Sequence, residues 1–368
     1  MARCGTRRLA LALVALGVVA LAAPARPAAA SLREWALHKT QDGAHPDGFE
    51  QRYLWLMNRA RRDPAAEGHF LATLDDGLIR SRLSGFGVEL DLLRAEFEEI
   101  APRPPAAFDV RLFDAARAHS LDMIARDAQD HQGQHERVRA AGFHPLQQRG
   151  NVYAFSQFAL EGHAAFNVDW GSGDGTGMQP GRPHRRAIMS PGAELTHVGL
   201  AVVPDTDRLT QVGPFVVTGN YARADERFEL HYNRFLVGTV WSDLDADGLY
   251  DEDEGIEGVR VVPDRGPWFA VTAAGGGYAL PILAPGPLRV GFEGAGVPAH
   301  TAERTVAETS VLLDYELGGT EASSSPVPVP EPAAWASGLA ALLAVAVLGR
   351  LRPALRRRRG MPSLQPDA

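Results

Sequence analysis

The stretch DLDADGLYDEDE, residues 243–254, carries seven carboxylates in twelve positions. It satisfies the calcium-loop pattern D-x-[DN]-x-[DN]-G-x5-E at every specified position. A hard divalent cation needs several oxygen donors around one point, and alternating acids on a tightly turning loop supply them. Asp243, Asp245 and Asp247 would give side-chain oxygens, and Gly248 permits the turn. Leu249 would give its carbonyl, Asp251 a direct or water-mediated contact, and Glu254 a bidentate carboxylate. Without a cation, so dense a cluster of acids would repel itself.

Histidines form the second group with chemical potential. His131 and His135 stand four apart in DHQGQHERVRAAGF, and His184 follows the glycine-rich GSGDGTGMQPGRPH. Gly133 interrupts the first pair, and no HExxH completes a zinc helix. No GxSxG elbow is present, and the glycine-rich loop lacks the lysine that a phosphate loop needs.

These residues need elements to hold them. Helical spacing runs through FEQRYLWLMNRARRDP (49–64), where Pro64 ends or redirects the element, and through FDVRLFDAARAHSLDMIARDA (108–128). His119 falls on the apolar stripe of the second helix and reads as a core residue. FSQFALEGHAAFNVDW (155–170) repeats the spacing from Phe155 to Trp170, with His163 as a structural residue. The segment 65–107 reads as one broken helix or two. THVGLAVVP and TQVGPFVVTGNYA have the β-branched content of strands. Beyond residue 234 the chain changes to short β runs (FLVGTVW, GVRVVP, WFAVTA, GYALPI, PLRVGF, SVLLDYEL) separated by turn signals, the pattern of a small β-sandwich. The class expected is therefore α+β.

Both ends have the composition of targeting segments. Residues 1–30 have a basic head, an apolar run and small residues before Ser31, the layout of a secretory signal peptide cut by signal peptidase. A retained N-terminal anchor is the alternative. Cleavage would remove Cys4, the chain's one cysteine, leaving no disulfide and no thiolate chemistry. At the other end, a Ser/Pro linker (319–332) closes on Pro330-Glu331-Pro332. An uncharged apolar segment (333–349) follows, near the short limit of about 17 residues for a membrane span. The Arg-rich tail 350–368 would stay cytoplasmic. A plain tail anchor is one reading of this end. Setting aside ten arginines and one aspartate at the two ends leaves 27 basic against 44 acidic residues, a net charge of −17. Such a body attracts divalent cations and repels nucleic acid.

Three resemblances follow from these motifs. Pro-Glu-Pro, short apolar span and arginine cluster together resemble the PEP-CTERM sorting signal, which implies processing by an exosortase-type protease. VGTVWSDLDADGLYDEDEGIEGVRVV followed by GGGYALPILAPGPLRVGF is similar to SdrD B-like domains of bacterial surface proteins, which implies a calcium-stabilised β-sandwich over 234–316. LMNRARRDPAAEG, FDVRLFDAARAHSLDMI, DHQGQHERVRAAGF, GNVYAF, AAFNVDWG, GRPHRRAIM and THVGLAVV resemble, in order, the CAP superfamily (SCP/PR-1-like). This last likeness implies a CAP-type α-β-α sandwich over 46–222.

The CAP resemblance also implies a cleft with two histidines and two acidic residues able to bind zinc. His131 and His184 match the histidines. The first glutamate is replaced by Gly150, and the second has no clear counterpart, with Asp169 or Asp174 as the nearest approximation. Glycine neither ligates a metal nor takes a proton, so the expectation leans away from an enzyme. The leading expectation is an exported, non-catalytic module binding a lipid or exopolysaccharide ligand at the cell surface, held on a calcium-stiffened stalk and transiently anchored by 333–349. A metal-dependent, peptidase-like hydrolase and a structural matrix component are the alternatives.

Overall fold

The computed structural model describes residues 32–192 and 194–318; the signal-like and sorting-like ends lie outside them. Helices and strands are both abundant, and the chain is α+β. Among the described residues no helix is long and apolar enough to cross a membrane.

The chain opens with a two-residue strand, β1 (Arg33–Glu34), and a short 3-10 turn (Ala36–His38). The first long helix, α1 (Gly48–Arg62), starts where Asp47 and Glu50 form a reciprocal capping box. It stops before Pro64, which becomes the first residue of α2 (Pro64–Thr73) under an Asp63 cap. The segment expected as one or two helices holds three: α2, α3 (Gly77–Phe86) and α4 (Leu90–Glu98). Asp76 caps α3, and Gly87 ends it in the left-handed conformation at φ +70°. These local signals divide the segment more finely than its hydrophobic pattern does.

Then follow β2 (Ala107–Phe108), α5 (Val110–Arg126), α6 (Gln134–Ala140), β3 (Pro145–Ser156), α7 (Ala159–Val168) and α8 (Pro183–Met189), with β4 (His197–Pro204) and β5 (Phe215–Ala224) last. The helix expected from Phe155 begins at Ala159; Phe155 belongs to β3 and is exposed. Strands β2, β4, β5 and β3 form one sheet in that order. Alternation along β5 sends Val216, Ala222 and Ala224 into clusters with α5 and α6 residues, and Val217 and Tyr221 into the larger core with α1, α7 and α8. Helices therefore cover both faces of this sheet.

The remaining strands are β6 (Phe235–Trp241), β7 (Arg260–Pro263), β8 (Trp268–Val271), β9 (Gly277–Pro281), β10 (Gly286–Glu293), β11 (His300–Val306), β12 (Val311–Leu312) and β13 (Tyr315–Glu316). They make two sheets, β1-β8-β7-β10-β11 and a second in which β6 pairs with β9, β12 and β13. The first strand of the described chain thus joins the second part, β1 running parallel to β8. Trp35 follows it into a cluster with Tyr232, Phe235 and Trp268.

Helix α1 rests on this β part. Gln51 Nε2 donates to Thr239 Oγ1 at 2.8 Å, and the backbone N–H groups of Ala274 and Gly275 donate to the carbonyls of Gly43 and Pro46 at 3.0 Å each. Trp55 lies edge-on to Trp241, with ring centres 5.9 Å apart. Between α1 and β6 a cavity of about 30 Å³, lined in part by Gln51, Asn58, Arg62, Tyr278 and Asp314, has room for ordered water.

Candidate functional sites

The acidic loop 243–254 leaves β6 and is closed at its neck by β-type pairing. Trp241 bridges Gly255, Ser242 N–H donates to the Glu254 carbonyl at 3.0 Å, and Ile256 N–H donates to Val240 at 2.8 Å. The incoming flank is a strand, not a helix. Inside the loop, Asp243 accepts from the N–H groups of Ala246 (2.7 Å) and Gly248 (3.0 Å). Asp245 accepts from Asp247, and Asp247 from Leu249. Glu254 is 3% exposed and accepts from Leu244 (2.6 Å) and Asp251 (2.7 Å). Ala246 and Gly248 take positive φ, +64° and +76°, giving the sharp turn.

Oxygens of Asp243, Asp245 and Glu254 lie within 4.8 Å of one another, and so do those of Asp245, Asp247 and Asp251. Two triads sharing Asp245 make an all-oxygen donor set, which is the chemistry calcium takes. The residues fit the ion. Burial, together with neighbouring carboxylates, raises the carboxyls of Asp251 and Glu254 above the ordinary range.

The histidines and the acids expected beside them are arranged differently. Asp169 is fully buried at the C-terminal end of α7 and caps the start of α8: its Oδ2 accepts from the N–H groups of His184 (2.7 Å) and Arg185 (3.2 Å). Its Oδ1 accepts from His184 Nδ1 at 2.7 Å. Asp169 thus orients His184 and leaves the imidazole's Nε2 as its free lone pair. Asp174, the other candidate acid, is exposed on the 171–182 loop. Arg182 pairs with it at 2.6 Å and holds its carboxyl well below the usual range.

His131 is exposed just before α6, and its Nδ1 donates to Gln134 Oε1 at 2.6 Å. Gln134 is fully buried and donates through Nε2 to Asn220 Oδ1 (3.0 Å) and the Gly219 carbonyl (3.3 Å). A β-carbon on Gly150 would lie 2.4–2.6 Å from the Gln134 amide. The space beside Gly150 is filled by a neutral amide. Strand β3 then passes to Asn151, whose Nδ2 donates to the His184 carbonyl at 3.1 Å. Among the described residues, no three-residue cluster of potential ligand atoms within 4.8 Å includes His131, His184 or Asp169. As placed, the three do not fit a zinc centre.

Sequence reasoning did not single out Gln134, nor the buried network in which Glu67 accepts from His163 Nε2 (2.8 Å) and from Arg59 (2.9 Å). Neither stands in a motif, and long-range partners are needed to see them. His119 is buried, its Nε2 set against the Asp130 carbonyl at 2.9 Å. His45, Asp47 and Glu50 also approach within 4.8 Å. The capping box and the 2.7 Å contact between His45 Nδ1 and Glu50 account for that grouping. Pro330, Glu331 and Pro332 lie outside the described residues.

No protein-family model matches the sequence, and no curated protein matches it. Among solved structures, the chain is similar to an extracellular protein containing an SCP domain from Bacillus anthracis str. Ames, at 15% identity and a TM-score of 0.25. The match covers 39% of this chain and 41% of that one, less than half of either, and at that score it carries no argument about fold or function.

Proposed function

We propose that this chain is an exported cell-surface or extracellular protein built from a CAP/SCP-type α-β-α module (46–222) and an SdrD B-like β-sandwich (234–316) that binds calcium in the 243–254 loop. The first module binds a ligand, lipid or exopolysaccharide, without hydrolysing it. Signal peptidase and an exosortase-type protease process the two ends. The observation that carries the non-catalytic reading is the Gly150–Gln134 contact. A general base would stand at Gly150, and a neutral amide occupies the space instead.

One observation favours the metal-dependent hydrolase. Both His131 and His184 engage an oxygen through Nδ1, which leaves each Nε2 available to a metal. Calorimetric zinc titration of the calcium-saturated protein, with His131→Ala/His184→Ala as control, separates the two. Submicromolar binding lost in the double variant supports the hydrolase. Absence of zinc binding, with lipid or glycan recovered from the purified protein by mass spectrometry, supports the ligand-binding module. A protein that yields neither is a structural component of a matrix.

A further inference from the structure

The acidic loop does not project from the β part; it lies under the first long helix. Arg52, in the second turn of α1, forms an ion pair with Asp251, and its guanidinium also reaches Glu252 at 4.0 Å. One turn further, Trp55 sits 6.5 Å from Tyr250, whose hydroxyl donates to the Gly275 carbonyl at 2.9 Å. At the start of the same helix, a β-carbon on Gly48 would meet the Glu252 carbonyl oxygen at 1.7 Å. Three residues in the first two turns of α1 thus approach residues 250–252, which form the back of the loop.

Asp251 has two roles in this arrangement. Its carboxylate contributes to the triad with Asp245 and Asp247, and it is the partner of Arg52. A carboxylate has two oxygens, so one group can face the loop centre while pairing with a guanidinium on its other side.

We propose that calcium in the 243–254 loop acts on the joint between the two parts of the protein, and that Arg52 is the positioning residue that carries its effect into α1. The inference rests on the calcium reading above. With the ion bound, Asp251 is held in one orientation and Arg52 with it, so the first turns of α1 are fastened to the β part. Without the ion, repulsion among the loop carboxylates works against that orientation, and the joint loosens. Calcium here fastens one module onto the other and does not merely stiffen a spacer.

The test is hydrogen exchange of the peptide covering 48–56 in the purified protein, with calcium and with chelator, for the parent, Arg52→Gln and Arg52→Lys, alongside calorimetric calcium titration of each. Calcium should bind all three. It should slow exchange in 48–56 by about tenfold or more in the parent, by less than about twofold in Arg52→Gln, and by an intermediate factor in Arg52→Lys. Calcium binding that leaves exchange in 48–56 unchanged overturns the inference while leaving the calcium site standing. Undiminished protection in Arg52→Gln, with circular dichroism matching the parent, likewise overturns the role given to Arg52. Failure of the parent to bind calcium removes the calcium reading itself, and the inference with it.

Discussion

Gly48 and Glu252 approach so closely that the helix carrying the first and the acidic loop carrying the second behave as one packed surface: a β-carbon on Gly48 would stand 1.7 Å from the Glu252 carbonyl oxygen. Nothing flexible lies on either side of that contact, since both partners are backbone. Gly48→Ala should therefore destabilise the protein by about 1–3 kcal/mol, although alanine is the better helix former. Urea denaturation would read this as a lowered midpoint. An unchanged midpoint would mean that the loop moves aside at little cost.

Gly150 and Gln134 make a second tight pair, beside His131. Gly150→Glu alone should cost about 1–3 kcal/mol, because its β-carbon overlaps the Gln134 amide. Gln134→Ala combined with Gly150→Glu should recover much of that loss, because the space is then open. If the introduced carboxylate then completes a metal site with His131 and His184, zinc affinity by calorimetry should rise in the double variant and in neither single one.

Calcium should raise the thermal midpoint, by the free energy of binding to the folded state alone: about 2.7 kcal/mol at a free concentration one hundred times Kd. Glu254 is the most buried acid of the loop and spans the N–H groups of Leu244 and Asp251. Glu254→Gln should abolish the calcium-dependent rise in calorimetric scans, whereas Glu257→Gln, outside the loop, should keep it. A rise that survives in Glu254→Gln would place the ion elsewhere.

The folded chain should lose stability on mild acidification. Burial pushes His38 and His197 down to about 4 from 6.5, and the His197 ring sits between Phe143 and Phe235. Both are neutral when folded, while the unfolded chain takes up protons below pH 6.5. Their contribution is full above that pH and drains as pH falls towards 4, by on the order of 3 kcal/mol each. Asp314 works in the opposite sense: burial raises its carboxyl to about 6, so its contribution favours the fold on the acid side and is lost as pH rises from 3.8 through 6. Of these three groups the two histidines outweigh the aspartate. Thermal midpoints measured from pH 7 to 4.5 should fall, and fall less steeply in His197→Gln than in the parent.

The sequence showed its local features well and its long-range ones poorly. Helix α5 and strands β6, β9 and β10 stand out by periodicity and β-branched content, and the loop 243–254 by its alternating acids. Three helices in 64–98 were foreshadowed by Asp63-Pro64, Asp76 and Gly87, signals of capping that hydrophobic spacing does not weigh. Strand β11 is hidden because its residues are mostly polar and only Ala302 and Val306 are buried. The pairing of Asp169 with His184 needs a helix end and a helix start brought together, and the amide of Gln134 has no motif to announce it. The seating of α1 on the acidic loop joins residues about two hundred positions apart through arginine, glycine and tryptophan, which no periodicity can reveal.

Strand β1 pairs with β8, so that Arg33 meets Trp268, 235 positions later. A chain threaded through a membrane from its N-terminus would deliver β1 long before the strand that receives it. Trp35 would wait without Phe235 and Trp268 until the last third of the body had crossed. In an exported chain, completion of the fold would thereby be tied to completion of transit. The same clasp sets how the protein can be cut: a fragment ending near residue 222 keeps Trp35 without Phe235 and Trp268, and one beginning near 234 has those two without Trp35.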